Sequence, residues 1–249
     1  MPRLSAIIIT KDEATNIADC LRSLAFCDER IVVDAGSSDG TLLIARENGA
    51  RVAAHGWRGF GPQKNYALSL AQGDWVLSID ADERVTPELA AAIKAAIETG
   101  AADGYEIPRR SSFCGRMMRH SGWFPDRVLR LFRRDKARFS DDLVHERVIC
   151  TGKVARLTEP LMHYPVIRLE DAIRRMDNYS TLGAQRIAAS GKGVSFFTGI
   201  AHGMFTFLRI YVLRLGFLDG SAGFLLAVAN AEGTYYRYMK AWLARQRRD

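Results

Sequence analysis

Along the N-terminal part of the chain, short apolar runs alternate with segments whose apolar positions recur at helical spacing. Leu4 to Thr10 is a β-branched run that stops at Lys11, after which Ile17, Leu21 and Leu24 recur every three or four residues, so a strand and then a helix are predicted. Arg30 to Asp34 supplies a second strand. Small residues from Ala35 to Thr41 turn the chain into a helix from Leu42 to Asn48, closed by Gly49. A third strand, Arg51 to Ala54, leads through a loop with Gly56, Gly59 and Gly61 into a helix that carries Gln63, Lys64, Asn65, Ala67, Leu68 and Leu70. The run from Trp75 to Ile79 then stops at Asp80, Asp82 and Glu83. Thr86-Pro87-Glu88 opens a helix through Ile97 that ends near Gly100, and Gly104 to Pro108 reads as a fifth strand.

Strands alternating with helices in this way predict an α/β domain built on a parallel, doubly wound sheet. Such sheets bind ligands beyond the carboxyl ends of their strands, so Thr10 to Glu13, Asp34 to Asp39 and Asp80 to Asp82 are expected to meet at one edge. The convergence describes a nucleotide-sized pocket, with a carboxylate for a ribose or base edge, a lysine for phosphate and acids for a hard divalent cation. Asp80 and Asp82 read equally as the acidic first turn of the helix that follows. No G-x-G-x-x-G turn is present, which weighs against dinucleotide binding.

The second half is less periodic. From Arg109 to Arg147 arginines crowd around Phe113, Trp123 and Phe124, either as an irregular cover for the sheet or as a substrate-contacting lobe, with Val128 to Phe132 as a strand. Glu146 follows His145 and precedes Arg147; it is either a general base or a surface ion pair. Residues 1–168 are read as one domain and 169–249 as a helical extension. Leu169 to Ala189 is a polar helix with one apolar side. Val194 to Leu218 is strongly apolar, but His202, Arg209 and Arg214 interrupt it, whereas a membrane span needs about 20 apolar residues in succession. It is expected to lie in a membrane interface or to pack on the sheet. A last helix from about Gly223 sets Tyr235, Tyr238 and Trp242 on one side beside basic residues, which suits either a lipid headgroup layer or a dimer or core helix with a solvated basic tail.

Charge and cysteine content narrow the setting. A formal net charge of +7 over 249 residues and a pI near 9.4 call for an anionic partner. The arginines are not interleaved with a nucleic-acid-binding module, so an anionic membrane surface is expected rather than nucleic acid. Cys20, Cys27, Cys114 and Cys150 have neither paired nor metal-ligand spacing, and no signal peptide is expected, since Ala6 to Ile9 is too short an apolar stretch for one and Lys11, Asp12 and Glu13 follow soon after. A cytoplasmic protein, peripheral on the inner face of the cell membrane, is expected.

Four blocks then carry a resemblance: Ile8-Ile9-Thr10-Lys11-Asp12-Glu13, Val33-Asp34-Ala35-Gly36-Ser37-Ser38-Asp39-Gly40-Thr41, Gln63-Lys64-Asn65-Tyr66-Ala67-Leu68 and Ile79-Asp80-Ala81-Asp82-Glu83. In order and spacing they resemble the inverting family 2 glycosyltransferases of the GT-A fold. Leu129-Arg130-Leu131-Phe132, Val144-His145-Glu146, His163-Tyr164 and Gly216-Phe217-Leu218-Asp219-Gly220 are similar to the lipopolysaccharide-core β-glucosyltransferase branch. The resemblance implies a UDP-sugar donor, a hexose such as glucose, Mg²⁺ or Mn²⁺, and a lipopolysaccharide-core or other glycolipid acceptor. It implies that Asp34 and Asp39 hold the uracil and ribose side, in a pocket that Thr10, Glu13 and Ser37 help to line. Lys64 would lie near the diphosphate, Asp80 would support the donor and Asp82 would bind the metal. Glu146 falls where such enzymes carry the catalytic base; a Glu-Asp pair is common there, and His145 in this chain leaves either residue open. Polyprenyl phosphate as acceptor, and a silent nucleotide-sugar-binding scaffold at a membrane, are the competing readings.

Overall fold

The computed structural model describes residues 2–140, 146–166, 168–190 and 193–246. Its elements run β1 (Leu4–Thr10), α1 (Ile17–Ser23), β2 (Glu29–Asp34), α2 (Thr41–Glu47), β3 (Arg51–Ala54), α3 (Phe60–Leu70), β4 (Trp75–Ser78), β5 (Glu83–Arg84), α4 (Pro87–Thr99), β6 (Gly104–Phe113), β7 (Arg116–Met117) and β8 (Asp126–Arg133). They continue β9 (Ala137–Phe139), β10 (Val148–Cys150), β11 (Val154–Arg156), β12 (Leu161–Val166), α5 (Leu169–Ala189), α6 (Phe196–Leu208) and α7 (Gly220–Gln246). Two compact units emerge, one of Met1–Arg109 with Asp126–His163, the other of Arg110–Pro125 with Tyr164–Asp249.

In the first unit the sheet order is β3-β2-β1-β4-β8-β6-β12-β5. β1 pairs in parallel with both β2 and β4, and β2 with β3. The chain therefore goes to one side of β1 for β2 and to the other for β4, which makes their carboxyl ends a topological switch point. β1 is covered on both faces: Ala6 and Ile8 pack with α1 residues Ile17 and Leu21, while Ile7 packs with Val76, Ile31 and Phe132. Two-sided burial explains the unbroken apolar run, and each fully buried isoleucine contributes about 1.5–3 kcal/mol.

The expectation of a mostly parallel sheet holds only for this half. β8 runs antiparallel to β4 and to β6, and β12 antiparallel to β5, so the sheet is mixed. A run such as Val128 to Phe132 signals burial, but the direction of a strand leaves no mark in its periodicity. The Pro87 helix begins and ends as its sequence dictates: Thr86 Oγ1 accepts from the Leu89 amide at 3.2 Å, and Gly100 closes the helix in the left-handed conformation.

The second unit is helical, with a hairpin that joins Ser112 to Met117 and Phe113 to Arg116. α6 and α7 run antiparallel, and Gly199 and Gly203 let α7 approach closely at Tyr235, Tyr238 and Met239. His202 stacks on Tyr238 with centroids 4.4 Å apart, and Phe196 meets Trp242 at 5.9 Å. The aromatic side of the last helix thus faces α6. Lys240 ties α7 to α5, donating to Asp177 at 2.6 Å and to Ser180 and Thr181 at 2.8 Å. The apolar run from Val194 to Leu218 is not one helix. After Leu208 it continues as a π-helical turn, Arg209–Leu213, then Leu215 takes a left-handed conformation and a 3-10 turn spans Gly216–Asp219. Buried Asp219 fixes that turn by accepting from the amides of Arg119 and His120 at 3.0 Å and from Ser121 Oγ at 2.9 Å.

Candidate active site

Two structures of different character stand at the strand ends of the first unit. One is a hydrogen-bonded wall built from the loops after β1 and β2. Asp34, 2% exposed, ends β2 and accepts from the Gly36 and Ser37 amides at 2.8 Å, from Ser37 Oγ at 2.5 Å and from Thr10 Oγ1 at 3.2 Å. Burial pushes its pKa up, but the bonds from Ser37, Gly36 and Thr10 outweigh that and hold it below the usual carboxylate range. Four donors fill the acceptor sites of one carboxylate, so Asp34 shapes the loop. The two loops interlock: the Asp12 amide donates to Ser37 Oγ and the Glu13 amide to Thr41 Oγ1, both at 2.8 Å, and the Ala14 amide to Asp39 at 3.1 Å. Asp39 is exposed, and bonds from Thr41 lower its pKa. Glu13 accepts from Asn16 at 2.9 Å.

The other is a charged corner at the end of β4. Lys64 projects from α3, 5% exposed, with Nζ 3.1 Å from Asp80 Oδ1 and 2.8 Å from Glu146 Oε1. Asp80 Oδ2 accepts from Arg130 at 2.5 Å, and the same guanidinium donates to Glu83 at 2.7 Å. Burial works against the charge on Asp80, yet Arg130 and Lys64 prevail and hold its carboxyl far below the ordinary range. Glu83 is fully buried, and burial pushes its carboxyl up against the pull of Arg130. Arg109 Nη1 lies 3.5 Å from Glu83, and its Nη2 binds Asp126 at 2.6 Å. Arg130 Nε has no hydrogen-bond partner among the described residues, so one buried donor remains at the corner.

Asp82 stands apart from this network. Its Oδ2 lies 3.4 Å from His163 Nε2, brought there because β12 pairs with β5 in the register His163 to Glu83. A carboxylate beside an imidazole fits Mn²⁺ better than Mg²⁺ as a donor set, with phosphate oxygens free to complete the shell. Among the described residues no group of three potential ligands is placed to cage a metal unaided.

The predicted residues are therefore distributed unevenly. Thr10, Glu13, Asp34, Ser37 and Asp39 belong to the wall; Lys64, Asp80 and Glu146 are joined at the corner; Asp82 adjoins it. Glu146 is no isolated surface ion pair, since its partner Lys64 is buried and shared with Asp80. His145 lies outside the described residues.

Residues 5–156 match the family described as Glycosyl transferase family 2. The chain belongs to that family. It is 32% identical to the lipopolysaccharide core biosynthesis glycosyltransferase LpsC of Rhizobium meliloti (strain 1021), over 94% of this chain and 93% of that one. It is 31% identical to an uncharacterized glycosyltransferase of Rickettsia felis, over 96% and 89% of the two chains. Among solved structures, S. aureus TarS 1-349 in complex with UDP-GlcNAc superposes with a TM-score of 0.51 at 18% identity, covering 98% of this chain and 92% of that one, which is a likeness of fold. The protein is a family 2 glycosyltransferase with a GT-A-like mixed sheet followed by C-terminal helices.

For this glycosyltransferase the sequence reading gave no role to Glu83, Arg109 and Arg130 in the corner, nor to His163 beside Asp82, although Glu83, Arg130 and His163 lie in the blocks of the family resemblance. Arg130 did leave a signal, being a cation inside the apolar run Val128 to Phe132, which can be buried only if carboxylates meet it. His163 stood in one of the short blocks that carry the resemblance, but its place beside Asp82 was not legible, because it depends on an antiparallel register between distant segments.

Proposed function

We propose that this glycosyltransferase moves a hexose from a UDP-sugar to a lipopolysaccharide-core or related glycolipid at the inner face of an anionic membrane, with inversion. The observation that carries the reading is the bridge from Lys64 to both Asp80 and Glu146, because it sets a carboxylate from a separate segment against the donor corner. Full-length alignment with a protein named for lipopolysaccharide core biosynthesis supports the acceptor class.

Glu146 takes the proton of the acceptor hydroxyl as that oxygen attacks the anomeric carbon from the face opposite the diphosphate. The bond to UDP breaks while the new bond forms, so an α-linked donor gives a β-linked product. Lys64 and Arg130 present cations where phosphate charge grows, and Asp80 holds both side chains in place. Thr10, Ser37 and Asp39 form the wall for the nucleoside. Asp82 and His163 are the residues that would hold Mg²⁺ or Mn²⁺, which supplies Lewis-acid polarisation of the diphosphate when bound.

The test is a panel of UDP-hexoses with Mg²⁺ or Mn²⁺ and purified lipopolysaccharide core, scored for UDP release. Acceptor-dependent release with one donor is expected. Failure of every UDP-sugar to bind or to release UDP would overturn the reading.

A further inference from the structure

The helical unit exposes an apolar face that its own packing does not explain. Phe197 on α6 is 77% exposed and Leu213 in the π-helical turn 70%, and Phe205, Leu208, Phe217 and Phe224 carry the face from α6 around the turn to the start of α7. The opposite side of α6, Gly199, Gly203 and Thr206, is buried on α7. Phe196–Leu213 has a mean hydropathy of 1.4, yet only 22% of it is buried. An apolar helix with one side packed and the other bare is suited to a surface that is itself apolar.

Charge identifies that surface. From Phe196 to Leu225 the formal charges are Arg209, Arg214 and Asp219; both arginines are exposed, while Asp219 is 4% exposed and saturated by hydrogen bonds. Over 196–225 the face therefore presents apolar side chains and positive charge with no exposed acid, and exposed Glu232 stands at its edge, a balance complementary to an anionic leaflet. A two-fold pairing with a second copy through this face would bring together two surfaces of the same positive sign with no acid over 196–225 exposed to pair with them, and is disfavoured. A spanning hairpin is disfavoured too, because α7 runs antiparallel to α6 and would carry Glu232, Arg237 and Lys240 into the bilayer.

We propose that α6, the turn over 209–218 and the start of α7 form a membrane-insertion surface that lies flat at the headgroup–acyl boundary of an anionic leaflet, with Arg209 and Arg214 on lipid phosphates. Met204, Phe207, Leu208, Val228 and Ala231 line an open apolar groove of about 320 Å³ between α6 and α7, which receives an acyl chain. Glu232 also lines it and keeps that turn of α7 at headgroup depth. The surface differs from the one anticipated from Tyr235, Tyr238 and Trp242, whose rings and backbone are turned toward α6. The inference rests on the glycolipid reading for its purpose, since such an acceptor is embedded in the surface being bound.

Full-length protein is floated with vesicles of phosphatidylcholine mixed with phosphatidylglycerol and with vesicles of phosphatidylcholine alone. Wild type is expected to float with the mixed vesicles, and Phe205→Glu with Leu213→Glu to lose binding by more than about tenfold, as for removal of an inserted apolar face. Arg209→Glu with Arg214→Glu should remove the preference for the anionic lipid. Because acidic substitutions can disturb folding, Leu213→Trp provides a second reading: the emission it adds to that of the four native tryptophans, taken as the difference from wild type, should shift to the blue and be quenched by brominated lipid. Absence of wild-type flotation, flotation unchanged by the paired acidic substitutions, a bound Leu213→Trp protein that brominated lipid does not quench, or conversion of a dimer to a monomer by those substitutions with flotation intact would overturn the proposal. Calorimetry with UDP-hexoses on the same wild-type protein separates the two ideas. Donor binding without flotation defeats only the insertion surface, and flotation without donor binding defeats only the UDP-hexose reading.

Discussion

The wall and the corner stand at adjacent strand ends and use the same kinds of side chain, but they treat charge in opposite ways. In the wall, the charge of Asp34 is met by uncharged donors, Gly36 and Ser37 from its own loop and Thr10 from the end of β1. In the corner, Lys64 joins Asp80 to Glu146 and Arg130 joins Asp80 to Glu83, so two cations are balanced by three carboxylates that come from two segments of the chain. A hydrogen-bonded loop keeps its shape when a ligand arrives. A network of shared ions is open to an added anion, which competes with the carboxylates for the same cations. The difference assigns shape to the first region and chemistry to the second.

The largest effect should come from the corner. Arg130→Met strands buried carboxylates and should lower stability to urea by about 3–5 kcal/mol; a loss below about 1 kcal/mol would mean that the corner is not held together by its charges. In the wall, Asp34→Asn keeps the volume but turns one acceptor oxygen into a donor facing donors, and should cost about 1–3 kcal/mol. The sign with pH is also fixed. The folded-state pKa of Asp34 is lowered, so its stabilisation is complete above the unfolded value of about 4 and is lost as pH falls through and below it. The asparagine variant should flatten that acid limb in a series of melts. Beside the corner, His163→Ala should weaken Mn²⁺ binding in calorimetry by at least about tenfold, without loss of fold, and unchanged affinity would remove His163 from the metal site. Smallest of all, Ser37→Ala deletes one link between the two loops and one of the four donors to Asp34, and should cost about 1 kcal/mol while leaving Mn²⁺ affinity as it was.

What was legible in the sequence follows the same division. β1, β2, β3 and β4 and the helices between them could be read because each is a local pattern, and with them came the meeting of Thr10, Asp34 and Asp80 at one edge. The wall was legible for that reason. The corner was only half legible: Lys64, Asp80 and Glu146 were singled out, but the residues that join them were not, because Arg130 arrives on an antiparallel strand and His163 through a register between β12 and β5. Tyr235, Tyr238 and Trp242 teach a related lesson. Their spacing gave one face of a helix correctly, and spacing does not say whether that face meets lipid or a neighbouring helix; Gly199 and Gly203 across from them decide it.

The account turns on Glu146 as the group that accepts the acceptor's proton, and a single comparison addresses it directly: donor affinity and single-turnover transfer rate measured side by side for wild type and Glu146→Gln. The predicted result is a UDP-sugar affinity within about a factor of two of wild type, with a transfer rate lower by about 10²–10⁴-fold, because only the proton acceptor has been removed. Transfer at the wild-type rate would contradict the account.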